Sequence, residues 1–134
     1  MYHKIVVSLS LDHGFGFKAI DIARKLRVEN GEIIAVHVFE PVHSSIKSFV
    51  PADHVEKVRK SAEQGIAERI GKEKDVEAVV LTGHAARAIT DFAEQVGADC
   101  IVIGSHSPDL QDYLLGSTAT RVVRHAPCSV HVVR

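Results

Sequence analysis

The apolar residues of this chain gather in short β-branched runs, separated by longer stretches in which they recur three and four positions apart. Five runs have the length and composition of strands: Lys4 to Leu9, Glu32 to Phe39, Val76 to Leu81, Cys100 to Ile103 and Ser129 to Val133. Between them, Ala85, Ala88, Ile89, Phe92, Ala93 and Val96 fall on one face of a helix. Phe17, Ile20, Ala23 and Leu26 predict an earlier helix that stops near Asn30-Gly31, a pair suited to the left-handed backbone that ends many helices. Val55, Val58, Ala62, Ile66 and Ile70 predict another, opening after Pro51 with Asp53 as its cap and closing at Gly71. The last begins at Ser117, turns Ala119, Val122, Val123 and Ala126 inward, and is stopped by Pro127.

The order of elements is β-α-β-α-β-α-β-α-β. Strands that are apolar throughout and alternate with helices need cover on both faces of their sheet. The expected fold is therefore α/β: a doubly wound, five-stranded parallel sheet of order 3-2-1-4-5 with helices on both faces. Ligands of such sheets bind beyond the carboxyl ends of the strands, where the strand order reverses, which falls here between the first and fourth strands. The segment 41–51, PVHSSIKSFVP, follows the second strand on that side and reads as a connecting loop, with a mobile lid as its functional alternative.

Composition narrows the partners. A chain of 134 residues is expected to form one domain, residues 1–134. With 46% hydrophobic residues, 25% charged and a formal net charge of -1, bulk electrostatics favour neither nucleic acid nor an anionic membrane. No apolar stretch approaches the roughly 18 residues of a membrane span. The opening MYHKIVVSLS reads as a first strand rather than a secretory leader. Cys100 and Cys128 lie in apolar segments without CxxC spacing, as buried thiols of a reducing compartment do. A cytoplasmic protein without a disulfide is expected. His3, His13, His43, His54 and His84 are scattered, with no HExxH or paired-Cys spacing, so no transition-metal site is predicted.

The candidate chemistry lies between Ile101 and the C-terminus. Gly104 ends the fourth strand, and a residue without Cβ there lets a ligand or a crossing chain approach the backbone. Ser105, His106 and Ser107 follow with side-chain donors, and Gly116, Ser117 and Thr118 open the last helix with a hydroxyl cap and exposed N–H groups. Each feature alone is an ordinary turn glycine or helix cap. Together, at the switch point, they bring donors and the positive end of a helix dipole to one place, which suits phosphate. The pattern is neither a Walker A loop nor GxGxxG. A protonated His106 would favour an anion, and Asp109 and Asp112 are either a solvated loop face or ligands for a magnesium ion bridging phosphates. No residue stands out as a general base, so no catalytic residue is assigned and fast hydrolysis is not indicated.

These residues carry a resemblance. KIVVSLS at the first strand, AVHVFEP at the second, Gly83 opening the third helix, IVIGSHS at the fourth strand and LLGSTATRVVRHAPCSVHVV at the end together resemble the universal stress protein family. The likeness covers the whole chain. The family's fold is that of the adenine nucleotide alpha hydrolases, and its nucleotide motif is G-x-x-G, a spacer, then G-S/T. The resemblance implies that ATP or AMP, with or without Mg2+, rests its phosphates on Gly104 to Ser107 and Gly116 to Thr118. It sets the adenosine against Ser8, Ser10 and the backbone of Val38.

The chain departs from the pattern at three points. The family's second loop glycine falls at Ser107, and the span from Gly104 to Gly116 is one residue shorter than the common spacing. The form SHSPDLQDYLLGS instead resembles a subgroup with a Ser-His-x-Pro-Asp loop in which nucleotide binding is retained. Where the family has Pro-x-Asp at the first strand, this chain has Ser8-Leu9-Ser10, and a neutral Ser10 binds a ribose hydroxyl without the charge-assisted strength of a carboxylate. Asp12 is the alternative donor of that charge.

The last strand would form an edge of the sheet, and an apolar edge needs cover. Family members pair it with the same strand of a second subunit, so the resemblance implies a homodimer; shielding by the chain's own C-terminus is the alternative. Three functions follow as expectations: a nucleotide-binding stress protein, a scaffold of the same fold that works through protein partners without nucleotide, and a slow nucleotide hydrolase or adenylyl transferase.

Overall fold

The structure is a computed structural model that describes residues 1–10, 16–40, 51–105 and 115–134. Its strands are β1 (Tyr2–Ser8), β2 (Arg27–Phe39), β3 (Val76–Thr82), β4 (Cys100–Gly104) and β5 (Ser129–Val133). The helices among the described residues are α1 (Gly16–Leu26), α2 (Ala52–Ile70), α3 (Ala85–Val96) and α4 (Ser117–His125). The strands form one sheet of order β3-β2-β1-β4-β5, and every pairing is parallel. This is the doubly wound architecture that the alternating elements predict.

Because successive side chains of a strand point to opposite faces, the apolar runs feed two separate cores. Ile5, Val7, Ile33, Ala35, Cys100 and Val102 pack with Ala19, Ile20 and Ala23 of α1 and Ile66 and Ile70 of α2. Val6, Ile34, Val36, Ile101 and Ile103 pack on the other face with Ala86, Ile89 and Ala93 of α3 and Ala119 and Val122 of α4. The centre of the sheet is fully dry, with Ile5, Val6, Val7, Ile101 and Val102 at 0% exposure.

Several boundaries and faces differ from the sequence expectation. Helix α1 ends at Leu26 rather than near Asn30-Gly31, and β2 begins at once with Arg27. Asn30 does adopt the left-handed backbone, at φ 63, but inside β2. The ladder runs from Tyr2↔Arg27 to Lys4↔Glu32, so six residues of β2 lie against three of β1, and the excess forms a bulge that includes Asn30-Gly31. A Cβ on Gly31 would sit 3.0 Å from the carbonyl oxygen of Val28 and 3.1 Å from that of Tyr2, so the bulge needs glycine for its close backbone approach.

Asp53 is not the cap of α2. Pro51 holds the N-cap position with no side-chain cap bond, and Asp53 lies in the first turn, where its charge complements the helix dipole. Phe17, Val58 and Val123, expected inward, are 53%, 40% and 48% exposed, since each lies at the margin of its helix stripe. The buried face of α3 centres on Ala86, Ile89, Thr90 and Ala93, one position round from the predicted face, and Gly97 closes the helix in the left-handed conformation at φ 70.

The amino ends of the strands are joined by charged side chains. Asp99 accepts hydrogen bonds from the backbone N–H groups of His3 at 2.8 Å and Lys4 at 2.9 Å, and Lys4 Nζ donates to the carbonyl of Val96 at 3.0 Å. Arg24 of α1 binds both Glu73 and Asp75 before β3, and Arg27 reaches Asp75 at 2.8 Å. Burial pushes the Asp99 carboxyl up, but the N–H groups of His3 and Lys4 outweigh it and hold the group below its ordinary value. The Arg24 guanidinium holds the Asp75 carboxyl down to about 2.

Candidate functional site

The carboxyl ends of β1 and β4 meet at the switch point. Val7 pairs with Val102, so Ser8 and Gly104 come at neighbouring strand ends. Ser8 is half-buried and Ser10 exposed. Between them Leu9 donates its N–H to the carbonyl of Val36 at 2.8 Å, which carries the chain one residue past β1 without losing the ladder. The carbonyl of Leu9 lies 3.2 Å from His37 Nδ1; a carbonyl only accepts, so that ring nitrogen carries the proton and donates. Arg69 Nη1 approaches the carbonyl of Ser10 at 3.5 Å. The backbone is thus tied to β2 through Leu9 and to α2 through Ser10.

Gly104 pairs with Val133 at the end of β4, and the Ser105 N–H donates to the Val133 carbonyl at 2.8 Å. A Cβ built on Gly104 meets nothing within 4 Å among the described residues. Ser105 itself is buried, at 4% exposure. Its carbonyl accepts the N–H of Gly116 at 2.7 Å, which ties the start of α4 directly to the end of β4.

The helix start differs from the expected hydroxyl cap. Gly116, not Ser117, is the N-cap of α4, in extended conformation with φ -60 and ψ 159, and no side-chain cap bond is made. Thr120 makes the first intrahelical bond, to the Gly116 carbonyl at 2.9 Å. The N–H groups of Ser117, Thr118 and Ala119 therefore have no acceptor within the helix. Ser117 is exposed, Thr118 half-buried and Ala119 buried.

The other helix start on this side is occupied. Glu40, just past β2, accepts the Ala85 N–H at 2.9 Å with its carboxylate, so the first turn of α3 already has its anion. Gly83, at φ 134, makes the turn before it and donates to the Phe39 carbonyl at 3.0 Å. Val38, which pairs with Leu81 near the end of β2, is half-buried against the α3–α4 core.

The structure thus brings together Gly104, Ser105, Gly116, Ser117 and Thr118 at one strand end and helix start, with Ser8 and Ser10 at the neighbouring strand end. His106, Ser107, Asp12, Asp109 and Asp112 lie outside the described residues, as do His13, His43 and most of the 41–51 segment. Sequence reasoning missed His37, Glu40 and Arg69. Their partners lie 28, 45 and 59 residues away, and no local pattern signals such contacts. Among the described residues no group of three or more His, Cys, Asp or Glu side chains is arranged to hold a metal ion. Cys100 and Cys128 are free thiols, pushed up by burial, to about 11 for Cys100. No helix among the described residues is long and apolar enough to cross a membrane.

Comparison with known proteins finds the same fold. Universal stress protein G of Salmonella typhimurium is 30% identical over 142 residues, covering the whole of both chains. The universal stress protein of Archaeoglobus fulgidus, solved in complex with dAMP, has the same fold at 22% identity and a TM-score of 0.67, covering 99% of this chain and 98% of that one. A universal stress protein solved in complex with cAMP superposes with a TM-score of 0.64 at 21% identity, covering 99% of this chain and 97% of that one. The profile of the universal stress protein family matches residues 1–134, and the chain belongs to that family.

Proposed function

We propose that this protein is a homodimeric, cytoplasmic regulator that binds an adenine nucleotide, ATP or AMP, and uses its occupancy as a signal in the stress response. The observation that carries this reading is the pairing of an open strand end with an uncapped helix start. A Cβ on Gly104 meets nothing within 4 Å among the described residues, and α4 opens at Gly116 with no side-chain cap. The donor set fits phosphate: the N–H groups of Ser117, Thr118 and Ala119, the hydroxyls of Ser117 and Thr118, and the positive end of the helix. Ser105 fixes the two backbones relative to one another through the 2.7 Å bond from Gly116.

In this reading the phosphates lie against Gly104, Ser105 and the start of α4, with the Ser-His-x-Pro-Asp loop of the nucleotide-binding subgroup, including His106 and Ser107, completing the cradle. The adenosine lies against Ser8, Ser10 and Val38. Because Glu40 already sits on the start of α3, a polyanion is directed to α4 instead. Two related structures with cAMP and dAMP support an AMP-type ligand. Mg2+, when bound, would neutralise phosphate charge. The dimer forms through β5, which pairs with β4 on one side only and offers its outer edge to a second subunit.

Calorimetry with ATP and AMP on the purified protein tests the binding reading, and heat that saturates below millimolar nucleotide is the expected result. No heat and no thermal shift at millimolar nucleotide would count against it and favour the scaffold. Sedimentation of Val130→Lys, which sets a charge on the half-buried face of β5, tests the dimer: a monomer of native secondary structure is expected.

A further inference from the structure

Helices α3 and α4 bound an open groove of about 690 Å3 that begins at the N-cap of α3. His84, Arg87 and Asp91 line it from α3, Arg121 and His125 from α4, and Thr90 lies at its floor. None of the residues assigned to the nucleotide reading lines it. The spacing explains the two walls: positions 84, 87 and 91 recur at three and four residues on one helix face, and 121 and 125 at four on the other.

The charges of this groove are poorly matched within the protein. Arg87 has one ion-pair partner, Asp91 of its own helix at 3.6 Å, and its side chain is 85% exposed. Among the described residues the side chains of Arg121 and His125 make no hydrogen bond or ion pair, and His84, the N-cap of α3, makes no side-chain cap bond. Among the described residues, two guanidiniums and two imidazoles thus share a groove with a single carboxylate, although the whole chain has a formal net charge of -1. A general basic character of the protein does not account for this concentration. Like charges on facing walls repel, and an anion seated between them turns that repulsion into attraction.

We propose that the α3–α4 groove is a second anion site, which takes a small phosphate-bearing molecule. Guanidinium forks and imidazole N–H groups are the donors that phosphate recognition uses. A tetrahedral phosphate directs oxygens to both walls at once, whereas a planar carboxylate directs its two oxygens to one side. The volume lies in the range of small-molecule sites, several hundred Å3. The Thr90 hydroxyl donates to the Arg87 carbonyl at 3.1 Å, so binding donors come from the walls and not the floor.

The test is a titration of the full chain with inorganic pyrophosphate, followed by amide 1H–15N spectra, with citrate as the carboxylate control. Saturable shifts are expected at residues 87–91 and 121–125, weakened at least about tenfold in the double variant Arg87→Ala/Arg121→Ala. Both side chains are exposed, so that variant retains the fold. Shifts confined to Gly104, Ser105 and residues 116–118 would overturn the proposal while leaving the nucleotide reading intact. Equal shifts with citrate, unchanged shifts in the double variant, or no shifts at millimolar pyrophosphate would overturn it as well.

Discussion

At the amino ends of the strands charged side chains take up backbone and side-chain partners, whereas at the carboxyl ends the first N–H groups of α4 have no acceptor within their helix. Asp99 receives two backbone N–H groups across β1 and β4, and Arg24 joins α1 to Glu73 and Asp75. On the opposite side, a Cβ on Gly104 meets nothing within 4 Å among the described residues, and α4 begins without a side-chain cap. Among the described residues there, Glu40 places its carboxylate on the start of α3, while the first turn of α4 has no acidic residue. The same parallel sheet therefore has one end that holds the elements together and another that, in the function proposed above, meets an anion. In a parallel α/β sheet every strand and every helix N-terminus points the same way, which is why the two tasks separate so cleanly.

That contrast can be broken from either end. The largest effect is expected at the amino end, where Asp99→Ala removes a charged acceptor from the N–H groups of His3 and Lys4. We expect a loss of about 2 kcal/mol in urea unfolding, with nucleotide affinity unchanged. A parallel loss of affinity would show that the two ends are coupled.

The second effect belongs to the carboxyl end. Gly104→Ala meets no atom within 4 Å among the described residues, so stability should stay within about 0.5 kcal/mol. Nucleotide affinity should nonetheless fall about tenfold, roughly 1.4 kcal/mol, because the added methyl occupies the space proposed for the phosphates. Wild-type affinity in this variant would move the phosphates away from Gly104.

The smallest effect sharpens the account of the amino end. The Asp75 carboxyl lies at about 2 in the folded protein against an ordinary 3.8. A depressed carboxyl stabilises the fold fully above its unfolded value and loses that contribution as pH falls through its folded value. Asp75→Asn should therefore be less stable than wild type at pH 5, with the gap closing between about pH 4 and 2. The Asp75 side chain is 35% exposed, so solvent screening keeps the gap below about 1 kcal/mol. Urea midpoints of both proteins across that range measure it, and a gap that persists at pH 2 would mean the ion pairs are not its origin.

Much of the fold was legible in the chain because the apolar pattern is a local property. The alternation of β-branched runs with helical stripes predicts the element order, and Ile89, Ala93, Ala119 and Val122 are buried as their spacing requires. Errors fell where local signals are ambiguous. Asn30-Gly31 is a helix stop by composition, yet the same left-handed residue serves a bulge in β2 when a strand starts directly at Arg27. Ser117 is a good N-cap by residue type, but Gly116 takes the position because its N–H is held by Ser105. Of the candidate site, the glycines and hydroxyls were visible in the sequence, while Glu40, His37 and Arg69 were not.

By itself the sequence determined the order of strands and helices, the apolar positions that carry most of each core, and which small polar residues follow β4 and open α4. Spacing along the chain is enough for that, since burial and backbone preference act residue by residue. Only the tertiary structure decided which backbone donors are already taken: Ala85 by Glu40 and Gly116 by Ser105, with the first N–H groups of α4 left without helical acceptors. A hydrogen bond depends on a few tenths of an ångström between groups far apart in sequence, and that distance exists only once both cores have closed on the sheet.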